Sequence, residues 1–252
     1  MSDSETEQNR KVRVTATFLD ILLARRIWNF RAIDYSTMQY AMFLVLKDIR
    51  NKSLEDLLDI LTKRLASDPE TFATRDRFRL HGANRGQVHR TLARITAFLE
   101  CDTDIRVAER FKEYLNRQGR DGYEVEHIWA NHPEDHKAEF PNASDFLESR
   151  NRIGGLLLLP KEFNASYGDL PYEDFAGKEG KYSKYFGQNL LAKSLNHQCY
   201  ANHPRLLSLR NSGLPFREHR VFNKADLEER SVLYRKIAER IWDPTRLASA
   251  AT

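Results

Sequence analysis

A carboxylate and an imidazole stand side by side in the segment Tyr123–Trp129, which reads Tyr-Glu-Val-Glu-His-Ile-Trp. Neighbouring side chains of an extended segment point to opposite sides, so Glu126 can face a metal ion while His127 faces a water molecule and a substrate. A neutral imidazole accepts a proton at physiological pH. A divalent ion supplies positive charge where an oxygen becomes more negative. The pair therefore predicts metal-assisted hydrolysis.

Asn164 follows the second of two predicted strands. Tyr123, Val125 and His127 alternate with Glu124 and Glu126, which predicts a strand. The apolar run from residue 153 to 159 is broken by two glycines and stopped by Pro160, and predicts a buried strand that enters a turn. Asn164 would then lie near the start of the following helix. Glu126 and Asn164 both offer oxygen ligands, which favour Mg²⁺ or Mn²⁺ over Zn²⁺.

Helices must position these strands. Five apolar stripes at helical spacing precede residue 118, followed by a last helix that should stop at Asp243-Pro244. Ser36 or Thr37 is expected to cap the second helix and Ser53 the third, which should end at Asp68-Pro69. The stripes comprise Val14, Phe18, Ile21, Leu22 and Trp28; Met38, Ala41, Met42, Val45 and Ile49; Leu54, Leu57, Leu58, Leu61 and Leu65; Val88, Leu92, Ile95 and Leu99; and Ile105, Ala108, Phe111 and Leu115.

The predicted fold class is α+β and mainly helical. Residues 1–117 are expected to form a helical domain whose first ten or so residues are polar and frayed. Residues 118–252 are expected to hold a two-strand and helix module followed by C-terminal helices.

Composition excludes several classes of protein. No apolar run approaches the roughly 18 residues of a membrane helix, and the start lacks the apolar core of a signal peptide, so we expect a cytoplasmic protein without a membrane partner. Cys101 and Cys199 stand alone and far apart. They predict reduced, structural thiols.

The excess of basic residues lies in the first 120 residues, where several arginines surround a glycine-containing turn. These side chains are candidates for contact with DNA phosphates. The same pattern is also typical of a solvated helix face. The candidates are Arg75, Arg77, Arg79, Arg85, Arg90 and Arg94, together with Arg152 near the second strand.

Four segments resemble one known family, the HNH-type nuclease region of GmrSD-like, modification-dependent restriction proteins. They are Val125–Trp129, Arg150–Lys161, Phe163–Asp169 and Ala238–Pro244, and the resemblance extends from about residue 12 to residue 244. It implies that the two-strand and helix module is a ββα-metal (HNH-like) nuclease module. It also implies a separate partner with a ParB-like NTPase domain, since no NTPase signature or phosphate-binding glycine loop occurs in this chain.

The resemblance assigns roles to individual residues. Glu126 matches a metal-ligand position, His127 the general base, and Asn164 the second ligand. The family's asparagine that braces the base histidine is replaced here by Gly155, so Asn151 or a backbone carbonyl would have to support His127, or the site is weakened. The family's downstream lysine corresponds to Lys178 or Lys181.

Other residues near these motifs have two interpretations. His132 and His136 are either additional ligands or loop histidines without a role. The nearby aromatic residues either stack on bases or, as we expect for most of them, pack the core. The aromatic set is Tyr167, Tyr172, Tyr182, Tyr185 and Phe186.

Three functions are consistent with this pattern. The leading hypothesis is a metal-dependent endonuclease subunit that cuts modified, double-stranded foreign DNA together with the NTPase. The second is a DNA-binding or regulatory subunit that lost cleavage through Gly155. The third is a nicking nuclease or RNase that needs neither nucleotide nor partner.

Overall fold

The computed structural model describes residues 4–75 and 78–252. These residues form a mainly helical protein with one two-stranded sheet, consistent with the predicted α+β class. The α-helices are α1 Glu5–Trp28, α2 Tyr35–Ile49, α3 Leu54–Ser67, α4 Arg85–Glu100, α5 Asp104–Tyr114, α6 Ala143–Arg150, α7 Lys161–Tyr167, α8 Lys181–Lys184, α9 Leu190–Lys193, α10 Cys199–Asn202, α11 Pro204–Asn211, α12 Lys224–Ile241 and α13 Arg246–Ala251. The strands are β1 Tyr123–His127 and β2 Leu156–Pro160, and short 3₁₀ helices span Gly82–Asn84, Pro133–His136, Ile153–Gly155 and Tyr185–Gly187.

Contacts divide the chain into two compact units. The first comprises residues 1–78 and 238–252, and the second comprises residues 79–237. This division differs from the boundary between residues 117 and 118 that the sequence suggests, because α4 and α5 lie in the second unit with the sheet. The domain assignment from the sequence stays a prediction.

The first unit packs α1 against α3 and α13. Four of the five predicted α1 residues are buried, and Leu22 is half-buried. The ring of Trp28 stacks on Phe78 at a centroid distance of 4.9 Å, and Phe72 stacks on Trp242 at 5.7 Å. Aromatic pairs of this kind add to the stabilisation from buried area.

Capping residues set where these helices begin. Ser53 caps α3 as predicted, since its hydroxyl accepts a hydrogen bond from the backbone N–H of Asp56. The predicted cap of α2 is wrong: Asp34 accepts from the N–H of Thr37, so α2 begins before Ser36. Helix α1 begins at Glu5 after the cap Ser4, so it includes most of the segment expected to fray.

In the second unit, α4 is the central helix and packs on α5, α9, α11 and β2. Its predicted apolar residues Val88, Leu92, Ile95 and Leu99 are all buried. The predicted face of α5 is wrong. Val107 and Tyr114 are buried there, whereas Ile105 and Ala108 are exposed. The predicted residues Phe111 and Leu115 are half-buried, so the inward face of α5 is rotated from the predicted stripe.

The sheet pairs β1 and β2 antiparallel, with His127 opposite Leu156 and Tyr123 opposite Pro160. The second strand is shorter than predicted because residues 153–155 form a 3₁₀ helix. Helix α7 follows β2 directly and contacts both strands. The predicted order of strand, connection, strand and helix is thus present.

Two side chains of helix α12 are hydrogen-bonded to the backbone at the start of β2. The hydroxyl of Tyr234 donates to the carbonyl of Leu156, and Nε of Arg230 donates to the carbonyl of Gly154. Leu156, Leu157, Leu158 and Leu159 are fully buried. These four residues are all apolar because both faces of β2 are buried in the protein.

The remaining expectations about packing are mostly confirmed. Tyr167, Tyr172, Tyr182 and Tyr185 are buried, while Phe186 is 38% exposed. Cys101 and Cys199 are buried free thiols. Across residues 4–75 and 78–252, every helix is too short or too polar to cross a lipid bilayer.

We predict that Gly154→Ala destabilises the second unit by about 2 kcal/mol or more, lowering the melting temperature by roughly 4–8 °C. An added Cβ would lie 2.4 Å from the carbonyl oxygen of Leu227 and 2.6 Å from the amide nitrogen of Ser231, so the backbone of α12 would have to move. Gly82→Ala is the matched control, since nothing lies within 4 Å of its Cβ position. Equal melting temperatures for both variants would contradict this packing.

Candidate active site

His127 is the last residue of β1, and its ring is held by Asn151, the C-cap of α6. Nε2 of His127 lies 2.8 Å from Oδ1 of Asn151. The amide nitrogen Nδ2 of Asn151 donates to the carbonyl of Leu147 at 2.9 Å, which turns Oδ1 toward the ring. Since Oδ1 can only accept, Nε2 carries the proton and Nδ1 keeps a free lone pair. His127 is therefore held in the tautomer that a general base needs.

The electrostatic surroundings keep this ring neutral. Burial lowers the pKa of His127 to about 4, and the positive charges of Arg150, Lys181 and Arg85 act in the same direction. The hydrogen bond to Asn151 raises this pKa and offsets part of the shift. A neutral imidazole at pH 7 can accept a proton from water.

Glu126 points away from His127 into a buried ion pair. Its Oε1 accepts hydrogen bonds from Nζ of Lys181 at 2.7 Å and from the hydroxyl of Tyr185 at 2.9 Å. Nζ of Lys181 also donates to the backbone carbonyl of His127 at 2.7 Å. Burial lowers the pKa of Lys181 and raises that of Tyr185. Lys181 thus holds the side chain of Glu126 and the end of β1 together.

The two candidate lysines have different surroundings. Lys181 is fully buried and contacts Glu126. Lys178 is exposed, and its backbone pairs with Phe175 in a tight turn that includes Ala176 and Gly177 at positive φ. The structure brings Lys181 to the predicted site and leaves Lys178 outside it.

A cavity of about 500 Å³ opens beside His127. Its wall includes Glu124 of β1, whose Oε2 accepts a hydrogen bond from Nδ2 of Asn164 at 3.1 Å. Lys161 also lines the cavity, with Nζ 3.8 Å from Oε1 of Glu124. The remaining lining residues are Leu80, Arg85, His89, Arg117, Tyr123 and Val125.

The oxygen atoms at this wall fit a hard divalent ion. Glu124 and Asn164 contact each other on the cavity wall, whereas the carboxylate of Glu126, two residues further along the same strand, is buried and is not part of that wall. Carboxylate and amide oxygens are the donors that Mg²⁺ and Mn²⁺ prefer. Asn164 lies on α7, near its start as predicted, but its side chain contacts Glu124 rather than Glu126.

Gly155 occupies a closed position at the start of β2. Its carbonyl accepts a hydrogen bond from the N–H of Ile128, which fixes the backbone directly after His127. A Cβ there would lie 3.2 Å from the carbonyl oxygen of Arg150 and 3.2 Å from Cδ1 of Leu227. Of the two supports that the sequence left open, Asn151 contacts the ring and the carbonyl of Gly155 holds the neighbouring backbone.

The arginines predicted to contact DNA lie in different surroundings. Arg85 lines the cavity, whereas the guanidinium groups of Arg90 and Arg94 lie over the ring of Phe111 at 5.2 and 5.4 Å. Arg79 pairs with Glu148, and Arg152 pairs with Glu228. Arg75 is exposed in the first unit, and Arg77 lies outside the described residues.

The two loop histidines make local contacts. Nδ1 of His132 lies 3.1 Å from a carboxylate oxygen of Glu134. His136 packs on the rings of Trp129 and Phe146 at centroid distances of 4.8 and 4.9 Å. Neither lines the cavity beside His127.

One more group of possible metal ligands lies elsewhere among the described residues, at His219, Asp226 and Glu229. Arg217 already donates to both carboxylates, at 2.8 and 2.5 Å, and His219 is hydrogen-bonded to Asp226 at 2.9 Å. Burial lowers the pKa of His219 to about 4. An arginine in this position neutralises the cluster, so it makes a poor cation site.

The sequence analysis missed several residues that the fold brings to the site. Glu124 had a signal, because it shares the alternation of β1 with Glu126. His89 links α4 to β1 through a 3.1 Å hydrogen bond between Nε2 and the carbonyl of Tyr123, and nothing in its sequence surroundings indicates this. Arg117, Lys161 and Tyr185 likewise reach the site only through tertiary structure.

Comparison with known proteins places the chain in a family. The model of the GmrSD restriction endonucleases, C-terminal domain, matches residues 25–237. No curated protein and no solved structure gives a significant match. The matched segment contains β1, β2, α7 and every residue of the cavity wall. The chain therefore belongs to the family of GmrSD restriction endonuclease C-terminal domains.

Proposed function

We propose that this protein is an HNH-type, metal-dependent endonuclease that hydrolyses phosphodiester bonds of double-stranded DNA. The observation that carries the proposal is the chain of hydrogen bonds from Leu147 through Asn151 to His127, beside a cavity with three cationic side chains. Family membership supports a role in a restriction endonuclease.

The residues of the site suit an in-line hydrolysis. Nδ1 of His127 takes a proton from water, whose oxygen forms the new bond to phosphorus while the bond to the leaving oxygen breaks. The leaving oxygen takes up a proton from solvent. Asn151 keeps the ring oriented during the proton transfer. A metal ion bound at the oxygen donors would supply positive charge at the scissile phosphate.

The proposed ligands of this metal are Asn164 and the glutamates of β1. Glu126 is the ligand that the sequence predicts, and Glu124 is the carboxylate that contacts Asn164. The Oε1 atom of Glu126 already accepts hydrogen bonds from Lys181 and Tyr185, so a cation at that oxygen would compete with the ammonium group of Lys181.

We further propose that the natural substrate is modified foreign DNA, such as phage DNA, in the cytoplasm, and that a separate chain with a ParB-like NTPase domain acts with this one. These two features follow from the resemblance to modification-dependent restriction proteins.

We predict that His127→Ala abolishes Mg²⁺- or Mn²⁺-dependent cleavage of duplex DNA and that Asn151→Ala lowers the rate about 10- to 100-fold. Without Oδ1 the imidazole loses the contact that selects its tautomer. Asn151→Asp keeps an acceptor for Nε2 and should retain more activity than Asn151→Ala. The assay uses unmodified plasmid and glucosylated phage DNA, with and without the NTPase partner and nucleotide.

His132→Ala is the matched control, because this exposed histidine lies outside the cavity wall. The His132→Ala variant should cleave DNA at the same rate as the protein without substitutions. If His127→Ala cuts as fast as the His132 control, the proposed base is wrong.

We predict that Asn164→Ala, Glu124→Gln and Glu126→Gln each weaken Mn²⁺ binding about tenfold or more, measured by electron paramagnetic resonance without DNA. Stability should separate the two glutamates. Glu126→Gln leaves Lys181 without its charge partner and should cost about 3–5 kcal/mol, whereas exposed Glu124→Gln should change stability by about 0.5 kcal/mol or less. Unchanged Mn²⁺ affinity in all three variants would place the metal elsewhere.

The alternative is a regulatory DNA-binding subunit whose cleavage is weakened because Gly155 lacks a side chain. The endonuclease proposal and this alternative differ in the cleavage activity that they predict for Gly155→Asn. We predict that Gly155→Asn gains no cleavage and loses about 1–3 kcal/mol of stability, because its Cβ meets the backbone of Arg150 and Asn151 already supports the histidine. Cleavage by Gly155→Asn alone would favour the regulatory function.

A further inference from the structure

Two arginines from the helical part of the second unit line the cavity beside His127. Arg85 is the first residue of α4, and Arg117 follows α5. We propose that Arg85 and Arg117 bind the phosphate backbone of duplex DNA and thereby position the scissile bond at His127. This inference rests on the proposed function and names the residues that hold its substrate.

These two side chains are available for a ligand. Within residues 4–75 and 78–252, neither Arg85 nor Arg117 has a carboxylate in ion-pair distance or an acceptor for its guanidinium hydrogens, and both are exposed. Most other arginines in this unit are engaged: Arg79 and Arg152 pair with glutamates, and Arg110 donates to Glu113 at 2.6 Å. Two uncompensated charges on one cavity wall call for an anionic ligand.

The guanidinium of Arg117 lies near the start of α4, where Arg85 is located. A Cβ at Gly86 would be 3.8 Å from Nη1 of Arg117, so this group lies over the residue next to Arg85. Arg85 acts electrostatically on the ring of His127, and Arg117 acts on His89 of the same wall. Lys161 adds a third positive charge near Glu124. The cavity wall therefore carries three positive charges beside His127 and Glu124.

Phosphodiester groups match these side chains chemically. The planar guanidinium offers paired N–H donors to two phosphate oxygens, which fixes orientation as well as distance. Phosphate contacts set the register of a duplex without reading its sequence. Arg85 and Arg117 would together form a phosphate clamp. This clamp would act on modified and unmodified DNA alike, and it would leave selection of the modified base to other residues or to the partner.

The test measures binding of a fluorescein-labelled DNA duplex by anisotropy, with His127→Ala as the parent so that nothing is cut. We expect Arg85→Gln or Arg117→Gln to weaken binding roughly 3- to 10-fold and the double variant roughly 10- to 100-fold. The slope of log affinity against log salt concentration should fall by about 1 for each arginine removed. Lysine at either position should restore the salt slope but only part of the affinity.

Arg90→Gln is the matched control, because it removes the same charge from the same helix but from a guanidinium that lies over Phe111. It should change affinity less than about twofold, apart from the general effect of net charge. Both cavity arginines are exposed, so their variants should keep the parent's melting temperature.

Equal losses in the Arg85, Arg117 and Arg90 variants would overturn the clamp, as would a parent that binds no duplex. The proposed function can fail separately. If the unmodified protein never cuts DNA but duplex binding depends on Arg85 and Arg117, the clamp stands and the nuclease proposal falls. If the variant that lacks both arginines still binds DNA with full affinity and cleaves it at the full rate, the nuclease proposal stands and the clamp falls.

Discussion

The buried ion pair between Glu126 and Lys181 is the interaction on which the candidate site depends. Desolvating two charges costs several kcal/mol per ion, so such a pair persists only with further hydrogen bonds. Here the hydroxyl of Tyr185 and the carbonyl of His127 provide them. Because Lys181 binds that carbonyl, the segment that begins α8 is tied to the end of β1. The direction of His127 is therefore set from two sides: its backbone by Lys181 and its ring by Asn151.

Much of the secondary structure could be predicted from the sequence because the signals are local. The alternation of β1, the cap at Ser53 and the stop at Asp68 each depend on a few adjacent residues. Helix α5 shows where this reasoning ends. Its stripe of Ile105 and Ala108 has helical spacing, but the buried residues are Val107 and Tyr114, and the hydroxyl of Tyr114 donates to Glu100 of α4. The partner helix determines which apolar face of α5 is buried. The sequence of α5 alone does not indicate that choice.

The candidate site was predictable to a similar extent. Neighbouring residues such as Glu126 and His127 form a recognisable motif, and Asn151 was one of two supports considered for the histidine. The contact between Lys181 and Glu126 joins residues that lie 55 positions apart, and no local pattern indicates that Lys181 rather than Lys178 reaches the carboxylate. The pairing of Asn164 with Glu124 follows from the register of β1 on β2 and from the start of α7, which a sequence pattern specifies only within a few residues.

The position of α4 changes how the helical half of the chain should be understood. His89 of α4 is hydrogen-bonded to β1, and Arg85 lines the same cavity as His127. Periodicity explains the selection: residues 85 and 89 are one helical turn apart and face β1, while 90 and 94 share the next face and cover Phe111. The basic residues therefore do not act as one surface. Among the faces of α4, the one turned toward β1 carries Arg85 and His89 and adds positive charge beside the histidine, so α4 and the strands form one structural unit of the site.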